Sequence, residues 1–131
     1  MDLKKYFEDA RGTGVLSTAD GQGRVNVAVY ARPHVMEDGT LAFIMSDRLS
    51  RHNVEQNPNA AYLFLEDKTE RAGIRLNLTK VRESEDADLI ARLRRRSYPP
   101  EDEAGMGKLR LVYFTVEHQR PLVGAPRETP G

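Results

Sequence analysis

The sequence predicts one mainly β domain, an antiparallel β-barrel or sandwich of about six strands with short helices at its periphery. Three observations favour this class. Several segments alternate apolar and polar residues with a period of two, which is typical of half-buried strands. Tight glycine-containing turns separate the first strands, and turns of that length join antiparallel neighbours. No strand–long helix–strand unit, the element that builds a parallel sheet, occurs early in the chain.

The six predicted strands lie at residues 15–19, 24–32, 41–45, 60–66, 74–82 and 109–116. Residues 20–23 and 37–40 have the glycine-rich chemistry of hairpin turns, so we expect the first three strands to be sequential antiparallel neighbours. In the second strand Val25, Val27 and Val29 alternate with polar residues. We expect these valines to face the core and the polar side chains to face solvent.

Three helices are predicted, at residues 2–11, 46–57 and 84–96. Asp2 is a good N-cap for the first helix, Ser46 and Asp47 are candidates for the second, and Ser84 for the third. The third helix begins with acidic residues and ends with four arginines, an order that complements the helix dipole. We therefore interpret the arginine run as a solvated helix face and not as a nucleic-acid surface.

Length and composition narrow the class of function. The 131 residues are expected to form a single domain, 1–131, with a loose tail at residues 116–131. The chain has no cysteine, which excludes disulfides and thiolate chemistry, and its 20 basic and 20 acidic residues cancel, which disfavours a nucleic-acid partner. No apolar leader is present and no apolar run approaches the ~20 residues that span a membrane, so we expect a cytoplasmic protein without a membrane partner.

The segment 46–53 is the first candidate site. It follows an apolar strand and opens a helix, whose N-terminus presents unpaired N–H groups and a partial positive charge to an anion. Arg48 and Arg51, with the two serines of the segment, add donors suited to a phosphate dianion. On spacing alone, the alternative is a capped surface helix with incidental arginines.

Two strands add polar faces. The second carries Asn26, Tyr30 and Arg32, which could hold a planar ring by its edge, and the fifth carries Arg75 and Asn77. For each strand in isolation, the alternative is an ordinary solvent-facing side of a sheet. The three histidines are too far apart in sequence for a local metal motif, and no phosphate-binding glycine loop or serine nucleophile elbow is present. No catalytic residue and no metal ligand is therefore predicted.

Residues 38–58 carry a family resemblance. An Asp-Gly turn, an apolar strand, an Arg-x-Ser-Arg-x-Asn-Val helix start and an Asn-Pro stop follow one another there, and the likeness extends from about Gly14 to Val116. In this order the segments resemble the pyridoxamine 5'-phosphate oxidase-like superfamily of flavin-binding split β-barrels. The resemblance implies an antiparallel split barrel, a homodimer, and one FMN in each of two clefts at the dimer interface.

The resemblance also implies which residues contact the cofactor. Arg48, Ser50 and Arg51 would hold the FMN phosphate, and Asn53 would order the helix start. The other implied cofactor-binding residues flank the ring or the ribityl chain: Ala28, Val29, Tyr30, Arg32, Met45, Ser46, Arg75 and Asn77. Of these, Arg75 and Asn77 would reach the cofactor from the partner.

Two departures from the family pattern bear on the substrate. Leu49 and Ser50 stand where pyridoxamine 5'-phosphate oxidases usually carry adjacent Arg and Lys, and residues 120–126 do not match their substrate-gripping C-terminal segment. Pyridoxamine oxidation itself is therefore not expected. The resemblance implies an oxidoreductase in which FMN carries hydride or electrons for an unidentified small-molecule substrate or electron donor.

Other functions of the same fold stay open. One is a non-catalytic flavin-binding or electron-transfer module, and another is a binding or regulatory dimer that has lost the flavin. A deazaflavin or haem could also replace FMN, since relatives of this fold use both.

Overall fold

The computed structural model describes residues 2–68, 71–97 and 108–123. The helices in these residues are α1 (Leu3–Asp9), α2 (Leu49–Gln56) and α3 (Ala87–Ser97). The strands are β1 (Gly12–Ala19), β2 (Val25–Val29), β3 (His34–Val35), β4 (Leu41–Ser46), β5 (Asn59–Glu66), β6 (Gly73–Ser84) and β7 (Leu109–Pro121).

The strands form one open sheet in the order β2-β1-β5-β6-β7-β4-β3. Every neighbouring pair is antiparallel. The pairing of β6 with β7 shifts register twice, between Asn77 and Leu78 and between Lys80 and Arg82. Such bulges bend a strand and increase its twist, so they help the sheet to curl around its inner face.

The inner face of the curled sheet holds the main core. Phe43, Tyr62, Phe64 and Phe114 are buried there, and α1 adds Phe7 to the same cluster. The Phe7–Phe64 pair and the Phe43–Phe114 pair meet edge to face, each with ring centroids 5.8 Å apart. This geometry adds to the stabilisation that comes from burying the ring area.

A second, smaller cluster lies on the other face of β4 and β7. There Ile44, Leu111 and Tyr113 pack with Ile90 of α3. Both faces of β4 are therefore covered, which explains why five successive residues of that strand are buried.

The mainly β class and the split-barrel architecture are confirmed, with seven strands in place of six. The additional strand is β3, which is two residues long and therefore too short to show a period of two in the sequence. Pro33 separates it from β2, since proline cannot donate to a strand ladder. The turn at residues 37–40 consequently joins β3 to β4, and the expectation that β2 and β4 are neighbours is wrong.

The side of β2 that faces solvent is opposite to the expectation. Val25, Val27 and Val29 are 81%, 65% and 76% exposed, whereas Asn26 and Ala28 between them are half-buried. The reason is α2, which contacts β2 on the side that carries Asn26. A period of two reveals that a strand has two unlike faces but not which of them another element covers.

Two element boundaries also differ from the expectation. β7 continues to Pro121, so residues 116–121 belong to a strand and not to the loose tail expected from 116 onward, while residues 124–131 lie outside the described residues. β6 includes Ser84, and α3 begins at Ala87 rather than at Ser84. The side chain of Asp86 accepts a hydrogen bond from the Leu89 amide at 3.1 Å, which satisfies a first-turn donor of α3.

Candidate functional site

The start of α2 follows the end of β4 and also contacts β1 and β2. Its N-cap is Arg48, in an extended conformation, and not Ser46 or Asp47 as expected. The Arg48 side chain makes no capping hydrogen bond. The first-turn N–H groups have no intrahelical partner in any α-helix, and they carry the positive end of the helix dipole. An anion is the natural complement to such a helix start.

Three polar side chains of β2 and α2 meet beside this helix start. Ser50 is buried, and its Oγ accepts a hydrogen bond from Asn26 Nδ2 at 3.5 Å. Ser50 also hydrogen-bonds the Tyr30 hydroxyl. Burial raises the pKa of Tyr30, and the Ser50 hydrogen bond and the positive charge of Arg48 lower it only in part. Tyr30 therefore remains a neutral phenol at physiological pH.

Arg51 lies one residue further along α2 and is surrounded by carboxylates. Its Nη1 lies 3.1 Å from Asp47, its Nη2 2.8 Å from Glu55 and its Nε 3.2 Å from Glu83 of β6. Its side chain is only 12% exposed. Burial lowers the pKa of Arg51, but the carboxylates outweigh burial and raise it overall, so the guanidinium is charged.

Side-chain amides on the later turns of α2 bind the helix to the β1–β2 hairpin. Asn53 is buried and donates to Thr18 Oγ1 at 3.0 Å. The Gln56 side chain accepts from the Gly21 amide at 3.0 Å. These bonds hold α2 in place, which is consistent with the expectation that Asn53 orders the helix start.

Other predicted site residues lie away from the α2 start or contact it through the backbone. Arg32 donates from Nη1 to the carbonyl oxygens of Phe7 and Ala10, at 2.8 and 2.6 Å, and so caps the end of α1. Met45 is fully buried in the inner core. Ser46 offers its carbonyl oxygen, which accepts from the Arg48 amide at 2.8 Å.

A second group of polar residues lines a cavity of about 700 Å³ on the outer face of β5, β6 and β7. It contains the predicted residues Arg75 and Asn77 together with His118 and Arg120. Arg75 Nε donates to the carbonyl of Pro121 at 2.9 Å, and Arg120 hydrogen-bonds the Asn77 side chain. The lining therefore carries two arginines against one carboxylate, Glu117, and includes a histidine.

The two groups lie on opposite faces of the sheet. Tyr30 packs against the inner core, with its ring 6.0 Å from that of Phe43. Along β6 the buried residues Ile74 and Leu76 flank Arg75, so Arg75 points outward. One chain cannot therefore direct Tyr30 and Arg75 at the same small ligand.

Sequence reasoning missed His118 and Arg120 as members of this group. The register shift at Asn77 leaves Glu117 as an extra residue of β7 and turns His118 to the outer face. A bulge cannot be located from alternation alone, so no signal in the sequence could have found it.

The described ranges, 2–68, 71–97 and 108–123, hold no cluster of three or more His, Cys, Asp or Glu side chains able to bind a metal ion. Within the same ranges, none of the helices has the length and apolar character needed to cross a membrane.

The fold and the site define an open, curled antiparallel barrel with a positively charged helix start against its edge strand. The family model of pyridoxamine 5'-phosphate oxidase matches residues 3–122 of this chain. The chain therefore belongs to the pyridoxamine 5'-phosphate oxidase family, as the resemblance in residues 38–58 implied.

Proteins similar to this chain are named for different ligands. The protein named heme oxygenase HutZ, from Vibrio cholerae serotype O1, is 38% identical over 68 residues. That match covers 50% of this chain and 37% of HutZ, so it spans little more than a third of the relative.

Solved structures with a similar fold cover most of the chain. An FMN-binding protein from Syntrophomonas wolfei subsp. wolfei has a TM-score of 0.75 at 17% identity, over 95% of this chain and 86% of that one. HutZ from Vibrio cholerae, described as a heme storage protein, has a TM-score of 0.64 at 24% identity, over 90% and 92%. An F420 reductase has a TM-score of 0.65 at 14% identity, over 88% and 94%. At these identities the likeness establishes the fold.

Proposed function

We propose that this protein binds FMN at the start of α2 and acts as a flavin-dependent oxidoreductase on a small-molecule substrate. The observation that carries the proposal is the α2 start, where Arg48 is an N-cap without a side-chain cap and Tyr30 and Ser50 lie beside it. Membership of the family and the FMN-binding protein of the same fold support it. A non-catalytic flavin-binding or electron-transfer module is the alternative that uses the same cofactor site.

The donors at this helix start suit the phosphate of FMN. A phosphate dianion is stabilised by a helix N-terminus and by a guanidinium. Arg48 supplies positive charge, the first turn supplies fixed N–H donors, and Ser50 supplies a hydroxyl already oriented by Asn26. A charge-assisted hydrogen bond of this kind contributes about 1.5–3 kcal/mol.

The chain's own residues then bind and orient the cofactor. FMN, when bound, supplies hydride and electron transfer, so no protein side chain is required as the reacting group. We assign Ala28 and Val29 of β2, together with Tyr30 directly after that strand, to the edge of the flavin ring and Ser46 to the ribityl side. Tyr30 suits this role because Ser50 holds its hydroxyl and Phe43 holds its ring.

We propose a homodimer as the active form. Val15 of β1 is paired with Val29 of β2 on one side and with Leu63 of β5 on the other. The exposed valines of β2 therefore continue across the sheet as an apolar row. Leu63 is itself exposed, and contiguous apolar surface of this kind marks an association site. The second copy would supply the Arg75 and Asn77 that one chain cannot direct at its own α2 start.

Haem binding is a second candidate function, and His118 is the observation that favours it. His118 is exposed at the outer cavity, which Arg75 and Arg120 also line, and imidazole is a common ligand of haem iron. Two arginines suit the carboxylates of a porphyrin. The sequence similarity to HutZ supports this candidate. The similar fold of the F420 reductase supports a deazaflavin as a further candidate cofactor.

The first experiment identifies the bound molecule and then tests Arg48. The purified protein is expected to be yellow and to release FMN on denaturation. Arg48→Ala is expected to weaken FMN binding about ten- to a hundredfold, since one charge-assisted contact to phosphate is lost. The affinity for riboflavin, which has no phosphate, should change little in this variant. Calorimetric titration measures the affinity for both ligands.

Arg92→Ala is the matched control, because Arg92 is an exposed arginine on α3. It should leave the affinity for FMN unchanged. An Arg48→Ala variant that binds FMN as tightly as the parent would rule out the phosphate assignment. Release of haem, with its loss in His118→Ala, would favour the second candidate instead.

A further inference from the structure

We infer that Arg51 is a positioning residue, which holds the start of α2 against β6 through three carboxylates and does not itself bind the cofactor phosphate. This inference rests on the proposed function, because it concerns the phosphate end of the same site. It departs from the expectation drawn from the sequence, in which Arg48 and Arg51 grip the phosphate together.

The guanidinium of Arg51 is already occupied. All three nitrogens of Arg51 have a carboxylate partner: Nε has Glu83, Nη1 has Asp47 and Nη2 has Glu55. Asp47 precedes α2, Glu55 lies on its last turns and Glu83 lies on β6. A planar guanidinium that bridges three separate places in the chain fixes their relative positions. A phosphate could reach it only by displacing these partners.

Arg48 and Arg51 have different surroundings. The positive charge of Arg48 acts on Tyr30. Arg51 is bound to Glu83 of β6, which also accepts from Lys80 at 2.9 Å. The carboxylate partners that occupy the guanidinium therefore distinguish Arg51 from the other arginine of the Arg-x-Ser-Arg motif.

The loss of Arg51 would leave its carboxylate partners unbalanced. Asp47, Glu55 and Glu83 would remain around the vacated position with one less positive charge beside them. Broken partly buried ion pairs harm a protein chiefly through the uncompensated charge. The harm to FMN binding in Arg51→Ala should therefore come from carboxylates that repel the phosphate, and removing a carboxylate should restore binding.

The flavin-independent test is amide hydrogen exchange in the unliganded protein. The His52 amide donates to the Arg48 carbonyl at 3.1 Å and so reports on the first turn of α2. Its exchange should be about fivefold faster or more in Arg51→Ala and in Glu83→Gln, because the α2–β6 link is lost. Arg92→Ala on α3 is the control and should leave the exchange rate of this amide near that of the parent. Unchanged exchange in both Arg51→Ala and Glu83→Gln would overturn the inference even if FMN binds as proposed.

The binding test compares Arg51→Ala with Arg51→Ala/Glu83→Gln by FMN titration at low salt. The single variant should bind FMN about tenfold more weakly than the parent, and the double variant should recover most of that loss. If Arg51 bound the phosphate directly, the double variant would still lack that contact, and most of the loss would remain. A parent protein that binds no flavin would refute the proposed function, while the exchange measurement would still decide the role of Arg51.

Discussion

At Gly14 the backbone of β1 passes closer to a tyrosine than any side chain permits. A Cβ on this residue would lie 1.8 Å from the Tyr62 hydroxyl oxygen and 2.5 Å from the Tyr30 carbonyl oxygen. Those two groups are hydrogen-bonded at 3.1 Å, and the Tyr30 amide donates to the Gly14 carbonyl at 3.0 Å. The space at Gly14 therefore determines where Tyr30, the proposed ring contact, leaves β2.

Gly14→Ala is expected to destabilise the protein by about 1–3 kcal/mol, because the added methyl group overlaps a buried hydrogen-bonded tyrosine. Urea unfolding measures the change in the free energy of unfolding. Gly21→Ala is the matched control, since its nearest neighbour would be the flexible Gln56 side chain at 3.4 Å. The control should stay within about 0.5 kcal/mol of the parent. Equal stability of both variants would contradict the close approach at Gly14.

At the scale of elements, the link between α2 and β6 makes stability depend on pH. Burial raises the pKa of Glu83, but the charges and hydrogen bonds of Lys80 and Arg51 outweigh burial and bring it below 4.5, its ordinary value. A carboxylate with a lowered pKa contributes stability that is present above its unfolded pKa and is lost as pH falls through its folded pKa. The contribution of Glu83 is therefore present at neutral pH and is lost below about pH 4.5.

The free energy of unfolding should accordingly fall between about pH 5 and pH 3, and Glu83→Gln should reduce that fall. Denaturant unfolding at a series of pH values measures the slope. Part of the fall should persist in the variant, since the pKa of Glu66 is also lowered, first by its hydrogen bond from Tyr6. An unchanged slope in Glu83→Gln would mean that Glu83 does not carry a stabilising charge.

Local patterns predicted most elements, and long-range contacts explain the failures. The apolar strand at residues 41–45 and the helix after it were predicted because their periods are readable over neighbouring residues. The exposed side of β2 was predicted wrongly because α2, twenty residues away in sequence, decides which side is covered. The proximity of Arg48, Ser50 and Tyr30 followed from the family resemblance, whereas the carboxylates around Arg51 include Glu83 from a distant strand, which no spacing rule reveals.

At the scale of the molecule, the apolar row on the outer face predicts self-association. A charge at its centre should prevent the second copy from packing, because an isolated carboxylate cannot be buried without a large cost. Val27→Glu is therefore expected to convert the proposed dimer to a monomer. Size-exclusion chromatography with light scattering at low micromolar concentration measures the mass.

Val81→Glu is the control for that experiment, since Val81 is also exposed but lies at the second register shift of β6, outside the row. It should leave the mass unchanged. A parent protein that is monomeric throughout would rule out the proposed dimer.

The amide bonds between α2 and the β1–β2 hairpin have a thermodynamic consequence. Asn53 and Gln56 make the helix and the hairpin one mechanical unit, and that unit carries both the proposed phosphate site and the exposed valines. If the cofactor orders this unit, the unit is already ordered for association with the second subunit, and the reverse also holds. In the proposed dimer, association of the subunits and uptake of the cofactor are therefore linked equilibria, and linkage is reciprocal. The factor by which the cofactor raises the association constant of the subunits must equal the factor by which association raises the affinity for the cofactor.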